Sequence, residues 1–586
     1  MPARSRRTAA QANNAEVSQR LGEVADLLEL EVANPFRVRA YRNAARLVEE
    51  LPQPVLTLPA EGAESLPELP GIGADLAEKI REIASTGSLP LLTQLRRKVP
   101  KGMAELIRVR GLGPRRARVL RQQLGIRSLA GLERALRARR VRKVRGFGEK
   151  TEAKLLQELG FHQAGAGRML RATAVQYAEP LAQYLRQGPG IEQVEIGGSF
   201  RRRAETVGDL DILATGRGKA AVVQRFLAYP EVTEVLSQGV GGASVRLRSG
   251  LQVDLRVLDP ESFGAGLYYF TGSKAHNIAA RRLAQRRGLK LNEYGVFRHD
   301  RRVAGKSEVG VARAVGLRWI PPELREDRGE IEAARAGRLP HLVELGDIRG
   351  DLQCHTTASD GRNTLPAMVH AAEALGYEYL AITDHTPAVR ITGGLDRAGF
   401  RRQGRMIDRL NGGARLTILK GAEVDILRDG RLDLDDDTMA GLDLVIVSVH
   451  SHFELSSREQ TRRLVRALRH PGVHILAHPT GRMIGTRAPI RADFEEVYRV
   501  AREEGVLLEV NGQPTRLDLD DVAARAAVAR GVGLVINTDA HSTAELGFMR
   551  WGVDQARRAW ATAADIANTR SRSGLLKLLK RRGRGP

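Results

Sequence analysis

Short apolar runs alternate with amphipathic stretches along the second half of this chain, and each run carries a polar residue at or near its end. The runs are GDLQCH, YLAITDH, TILKGAEVDI, LVIVSVH, HILAHP, LLEVN and LVINTDAH, and helical patterns such as MVHAAEALG (Met368–Gly376) separate most of them. Continuous Val, Ile and Leu content over four to eight residues reads as buried strands. Strand–helix alternation with functional groups at each strand's C-terminal end is the logic of a (β/α) barrel, and about seven such units fit a barrel near the eight-stranded size. The middle of the chain carries two further strands, DLDIL (Asp209–Leu213) and LQVDLRVL (Leu251–Leu258). The N-terminal third is helical and repetitive: LPGIGADLAEKI, VRGLGPRRARVL and VRGFGEKTEAKLL each set a Gly-apolar-Gly turn between helical patterns. Several domains of α+β and α/β character are therefore expected.

The first strand of the middle region lies in GGSFRRRAETVGDLDIL (Gly197–Leu213). Side chains two apart on a strand share a face, so Asp209 and Asp211 point the same way. Two parallel carboxylates are costly unless cations sit between them. Gly197, Gly198 and Ser199 precede a helix, where free backbone N–H groups cradle phosphate oxygens, and Arg201 and Arg202 add charge there. Asp254 on the second strand supplies a third carboxylate. Two metals held by three aspartates activate a 3′-hydroxyl and stabilise a departing pyrophosphate, the requirement of nucleotidyl transfer.

In the N-terminal repeats, the glycines let a tight hairpin expose consecutive N–H groups, which grip phosphates without reading bases. The pairs are Gly71 and Gly73, Gly111 and Gly113, and Gly146 and Gly148. Each repeat is similar to a helix-hairpin-helix unit, and three in register imply contact with DNA backbones on either side of a gap or nick. Net charge agrees: the 586 residues carry +24, with arginine far outnumbering lysine, which predicts salt-sensitive attraction to polyphosphates. The single cysteine excludes a disulfide framework and fits a reducing cytosol. No apolar run approaches membrane-spanning length, so no membrane partner is expected.

The acidic trio and its phosphate cradle resemble the palm of family X DNA polymerases. The likeness continues in YYFTGSKAHNIAARRLAQRRGLKLNEYGVF (Tyr268–Phe297), which resembles that family's thumb. The resemblance implies a nucleotidyltransferase-fold palm and assigns Mg²⁺ or Mn²⁺ to Asp209, Asp211 and Asp254. It implies that Gly198, Ser199 and Arg202 hold the triphosphate. It places Tyr269, Phe270 and Gly272 at the sugar pocket, Asn277 at the incoming base's minor-groove edge and Arg281 on the template side. Gln252 stands where several members carry a basic residue. In the family's small N-terminal domain a lysine forms a Schiff base with abasic sugars; Lys79 and Tyr41 match that pattern, while Asp75 and Arg37 replace lysines.

The strand-end residues His355, Asp360, His385, Glu423, His450, His478, Asp539 and His541 form a mixed nitrogen and oxygen donor set. Such sets suit zinc, manganese or iron and phosphoester hydrolysis. Through DLQCHTTASDG, AITDH, GAEVDI, SVHS, AHP and TDAH this half resembles the PHP (polymerase and histidinol phosphatase) domain, implying a distorted (β/α)7-type barrel with a Zn²⁺/Mn²⁺ cluster. One departure stands out. The first PHP motif is His-x-His, whereas this chain has Gln353-Cys354-His355. Alternation keeps Gln353 and His355 on one face and turns Cys354 into packing, so one metal site is expected to be weakened or Mn²⁺-selective.

The expected organisation is an N-terminal helical domain over 1–88, fingers over 89–165, palm over 166–262 and thumb over 263–322. A linker over 323–345, a PHP domain over 346–575 and a basic tail over 576–586 follow. The expected activity is DNA-directed gap filling with dNTPs on gapped or nicked DNA. The C-terminal half is expected to process 3′ ends as a 3′–5′ exonuclease or to cut at abasic sites. A monomer in the cytoplasm, associated with the nucleoid, is the expected setting. Three alternatives differ in class: a template-independent nucleotidyltransferase, a small-molecule phosphatase, and a DNA-end-binding scaffold with a decayed barrel.

Overall fold

The computed structural model describes residues 12–580 apart from 32–33, 52–54, 59–65, 67–71, 100, 108, 110–111, 166 and 390–391. They fall into two compact units, Met1–Gly167 with Ile484–Ala488, and Arg168–Met483 with Pro489–Pro586.

The first unit is helical. Asn14–Leu30 and Pro35–Glu50 form its opening pair, and Ala74–Thr86, Pro114–Leu124 and Glu149–Gly165 each follow a glycine turn. Gly73 and Gly113 are the N-caps of their helices. A Cβ at Gly73, Gly113 or Gly148 would meet nothing within 4 Å, so no crowding within the fold explains these glycines. What they leave open is backbone. Gly71 and Gly111 lie outside the described residues. Leu21, Val24, Ile80, Ile83, Leu106 and Leu120 fill the core at full burial.

In the second unit, a five-stranded sheet comes first: β1 (Ile191–Ile196), β2 (Asp209–Gly216), β3 (Val232–Gly239), β4 (Gly242–Leu247) and β5 (Gln252–Val257), in the order β1-β2-β5-β4-β3. β2 and β5 are parallel neighbours; the other pairs are antiparallel. The helices Arg171–Arg186 and Lys219–Leu227 bury Leu181, Leu185, Val223 and Phe226 beside the sheet.

The helices Phe263–Thr271, Lys274–Gln285 and Glu308–Ala314 then surround a small antiparallel sheet, β6 (Lys290–Asn292), β7 (Gly295–Arg298) and β8 (Arg301–Ala304). The charged stretch beyond residue 322 packs onto this body. Leu324, Ile331, Ala334 and Leu342 join its core, and the buried Glu330 carboxylate bonds His276 Nδ1 at 2.7 Å.

The C-terminal half is a seven-stranded parallel sheet in sequential order: β9 (Gly350–Asp351), β10 (Tyr379–Ile382), β11 (Thr417–Asp425), β12 (Leu444–Ser448), β13 (Ile475–Leu476), β14 (Leu507–Asn511) and β15 (Leu534–Asn537). A parallel bridge between Cys354 and Ala540 joins the two edges, so the sheet curls into a nearly closed barrel. Every residue of β10, β12, β14 and β15 is buried, as a strand covered on both faces requires. Cys354 is fully buried packing. The tail forms a helix, Arg572–Lys580, and residues 581–586 lie outside the described residues. No helix among the described residues is long and apolar enough to cross a membrane.

Candidate active sites

The β2–β5 register sets Asp211 directly opposite Asp254 and Asp209 opposite Gln252. With Asp209 and Asp211 two apart on β2, three carboxylates share one face at the strands' N-terminal ends. Burial, then the charges of Asp209 and Asp254, push the Asp211 carboxyl up to about 7. A carboxyl that resists ionising beside two others marks a place for cations. Asp254 is oriented by Ser244 Oγ and by the Gln252 amide, which donates to both of its oxygens at 3.2 and 3.3 Å.

Above this face the Gly197 N–H donates to the Asp211 carbonyl at 2.7 Å. Gly198, at φ 63°, starts the helical turn Gly198–Arg201, and a Cβ there would collide with the Asp211 carboxylate. Glycine is therefore required for the backbone to approach the acids. Ser199 follows in the same turn, half-buried.

Both arginines that follow the glycine turn are engaged by distant carboxylates. Arg201 does not face an anion site; its guanidinium pairs bidentately with Glu308 at 2.7 and 2.8 Å and bonds Thr271 Oγ1. Arg202 donates to Glu326 (3.0 Å) and to the Thr271 carbonyl (2.6 Å). Both partners lie more than a hundred residues away along the chain, beyond the reach of local sequence reading. Arg256, two residues after Asp254, is a cation beside the trio that the sequence reading missed, although strand alternation would have found it.

Tyr269 and Phe270 meet edge to face at 5.2 Å, with Arg281 over the Tyr269 ring at 4.9 Å. The Asn277 amide donates to the Tyr269 carbonyl at 2.7 Å. Gly272, at φ 70°, abuts the Arg202 guanidinium. In the first unit, Tyr41 is buried in the core and Lys79 is ion-paired with Asp75 one helical turn back.

The barrel brings all eight predicted donors together. His355, Asp360, His385 and His541 form one candidate metal group, His385, Glu423 and His450 a second, and His355, Glu423 and Asp539 a third, with donor atoms within 4.8 Å in each. Glu423 is the hub. Its Oε1 meets His478 Nε2 at 3.0 Å and His450 Nε2 at 3.4 Å, and its Oε2 meets His355 Nε2 at 3.3 Å. Despite the cost of burial, His385, His355 and His478 hold the Glu423 carboxyl well below its ordinary range. Burial pushes His385 down to about 4.

Buried His355 Nδ1, His385 Nδ1 and His478 Nδ1 have no hydrogen-bond partner. Of these, His355 Nδ1 lies 3.9 Å from Asp360 and His385 Nδ1 3.7 Å from Glu423, and unsatisfied imidazole nitrogens facing carboxylates fit a metal cluster. Asp539 at φ 54° and His478 at φ 28° hold left-handed backbone, strain of the kind kept at functional sites.

Gln353 lies fully buried among the ligands. Its Nε2 donates to Glu423 at 3.0 Å, while its Oε1 has no partner. Two supporting acids escaped the sequence reading. Glu509 accepts from the His478 N–H (2.8 Å) and from the amides of Asn511 (3.0 Å) and Asn537 (2.8 Å). Asp384 accepts from Thr356 N and Oγ1 at 2.8 and 2.7 Å. Glu509 stands on the face of Asn511 in LLEVN, and Asp384 precedes His385 in AITDH, so both sat inside motifs already in view.

Comparison with known proteins finds relatives of both halves of the chain. Residues 266–326 match the family model for the DNA polymerase beta thumb, 12–89 a helix-hairpin-helix domain, 103–160 a SAM-like helix-hairpin-helix tandem, and 351–512 the PHP domain. The chain is 36% identical over 574 residues to the DNA polymerase/3'-5' exonuclease PolX of Bacillus subtilis, covering 97% of this chain and 99% of that protein. It is 32% identical over 206 residues to a probable phosphatase of Acetivibrio thermocellus, covering 34% of this chain and 81% of the relative. A probable phosphatase of Thermoanaerobacter sp. is 28% identical over 230 residues, 37% of this chain and 89% of the relative.

Proposed function

The chain belongs to the family X DNA polymerases that carry a C-terminal PHP domain, and we propose that it fills short gaps in DNA and hydrolyses 3′ ends at two separate centres. The observation that carries the first activity is the parallel register that faces Asp211 with Asp254. Asp209, Asp211 and Asp254 hold Mg²⁺ or Mn²⁺. Bound there, the ions supply activation of the primer 3′-hydroxyl and charge neutralisation of the leaving pyrophosphate. The Gln252 amide and Ser244 hydroxyl keep Asp254 aimed at the shared face. Gly198 and Ser199 present backbone to the triphosphate. Arg202 joins them by exchanging Glu326 for a phosphate oxygen. Tyr269, Phe270 and Gly272 wall the sugar pocket, Asn277 meets the incoming base and Arg281 the template. The glycine hairpins at Gly71, Gly73, Gly111, Gly113, Gly146 and Gly148 grip the DNA backbone flanking the gap.

In the barrel His355, Asp360, His385, Glu423, His450, His478, Asp539 and His541 hold a Zn²⁺/Mn²⁺ cluster, which supplies the polarisation and water activation that phosphodiester hydrolysis needs. Glu509 and Asp384 orient the chain segments that bear His478 and His385. The protein acts as a monomer, with domain limits as read from the sequence except that the stretch 323–345 belongs to the thumb body, where Ile331, Ala334 and Leu342 pack, and is no free linker. A second reading, a DNA-end-binding polymerase whose barrel hydrolyses weakly, draws support from Gln353, whose neutral amide stands at an imidazole's place.

The test is primer extension and 3′ degradation on gapped DNA, with Mg²⁺ and Mn²⁺ compared and each template base presented in turn. Template-directed incorporation with 3′ trimming supports the proposal. Incorporation that ignores the template overturns the polymerase reading, and intact 3′ ends in both metals favour the second reading.

A further inference from the structure

The helix Ser457–Leu468 starts just beyond His450, so its first turn stands at the barrel mouth and its axis runs down the outer wall. Ser456 and Glu459 close a capping box at that end. Inward-facing Arg463 pins the helix to the strand-end loops, donating to the carbonyls of Leu427 (2.9 Å) and Ser451 (2.8 Å). Arg458, Arg462, Arg466 and Arg469 point outward and are exposed, spaced so that they form one stripe. Together with Asp493 and Glu496 they line an open groove of 810 Å³.

The charges in that groove are unequal. Arg466 approaches Asp429 at 3.8 Å; among the described residues, Arg458, Arg462 and Arg469 make no ion pair. Asp493 is engaged in capping its own helix, Phe494–Glu504, and Glu496 lies 3.8 Å from Arg499. Arginines turned inward in this domain, such as Arg482, Arg557 and Arg558, are bound to carboxylates; among the described residues exposed Arg401, Arg405 and Arg409 are not ion-paired either, so what sets the stripe apart is the groove it lines.

We propose that this groove docks the sugar-phosphate backbone of the strand whose 3′ end enters the barrel. At 1.5 Å per residue the stripe is about 16 Å long, the reach of a few nucleotides. No aromatic side chain lines it, so docking is through phosphate charge and independent of sequence. The inference rests on the barrel being a 3′-end hydrolase, and the experiment separates the two claims.

The full-length triple variant Arg458→Ala/Arg462→Ala/Arg469→Ala is compared with wild type and with Arg401→Ala/Arg405→Ala/Arg409→Ala. The latter removes the same charge from exposed positions on Arg397–Asn411, the helix that follows β10 in the same barrel. Binding of a 3′-tailed oligonucleotide is followed against salt without divalent ions. Hydrolysis of that DNA and of bis(p-nitrophenyl) phosphate, which has no backbone to dock, is measured with Mn²⁺. The groove variant is expected to lose about 2 units of log–log salt slope, at ~0.7 for each of three phosphates. It should also raise KM for the tailed DNA while leaving the small diester unaffected and the control variant near wild type. An unchanged slope, or equal losses in both variants, overturns the proposal, including the case where an acidic protein occupies the groove instead. If wild type hydrolyses neither substrate, the hydrolase reading fails while the salt slopes still decide the docking.

Discussion

Replacing Asp211 by Asn separates what the acidic trio does for chemistry from what it does to stability. Burial and the neighbouring charges push the Asp211 carboxyl up to about 7, against about 3.9 in an unfolded chain. A raised acid pKa means the native state holds the proton more tightly than the unfolded state does. Ionisation therefore counts against folding: the cost is absent below about pH 4, grows between about pH 4 and 7, and is complete above that. Some three pKa units at 1.36 kcal/mol each set a ceiling of ~4 kcal/mol, and residual contact with water brings the effective cost to ~2–3 kcal/mol. Asparagine keeps the shape and drops the charge. In chelator-treated protein at pH 8, Asp211→Asn should be more stable than wild type by that amount, and at pH 4 the two should coincide. For a cooperative unit of palm and thumb size the gain is on the order of 5–10 °C in Tm. Added Mg²⁺ should stabilise wild type, narrow the gap and leave the variant inactive in nucleotide addition. A chain of several domains does not unfold in one step, so hydrogen–deuterium exchange over Ile191–Val257 is the readout. Equal or lower stability of the variant in chelator at pH 8 would refute the idea that repulsion reserves this face for cations.

Three further outcomes are open to measurement. Gln353→His supplies an imidazole in place of an amide whose oxygen is unpartnered, and the affinity of the weakened metal site should rise on the order of tenfold or more in a chelator titration; unchanged affinity would contradict a weakened site. Glu308→Gln strips the carboxylate shared by Arg201 and fully buried Arg325, at a cost of ~3–5 kcal/mol seen as faster amide exchange in the thumb. Despite burial, those arginines hold Glu308 at about 2; its contribution is present above about pH 4.5 and lost as pH falls towards 2, and the variant should lack this acid dependence. If Lys79 forms a Schiff base with 5′-deoxyribose-phosphate ends, borohydride-trapped adduct falls in Lys79→Ala and rises in Asp75→Ala, which frees the amine from its ion pair; identical yields in both variants and wild type would remove Lys79 from that role.

Period-two alternation was enough to put Asp209 and Asp211 on one face, and strand-end histidines were enough to locate the barrel mouth. The facing of Asp211 with Asp254 was not legible, because register depends on how two strands far apart in sequence slide past each other. The engagement of Arg201 and Arg202 was hidden for a similar reason: Glu308 and Glu326 meet them only after the thumb folds back. Residues 323–345 read as charged and helix-prone, yet Ile331 and Ala334 pack into the thumb core because two apolar positions within one helical turn suffice to anchor a helix of seven residues. Glu509 and Asp384 show the opposite limit. They stood inside recognised motifs, but a carboxylate that orients a ligand looks the same in sequence as one that binds a metal.

The most direct measurement takes Asp209→Ala and His355→Ala through parallel assays of nucleotide addition and 3′ degradation on one gapped duplex. Asp209→Ala is expected to abolish addition and leave degradation near wild type, and His355→Ala to do the converse. Loss of both activities in either variant would contradict two independent metal centres in this chain.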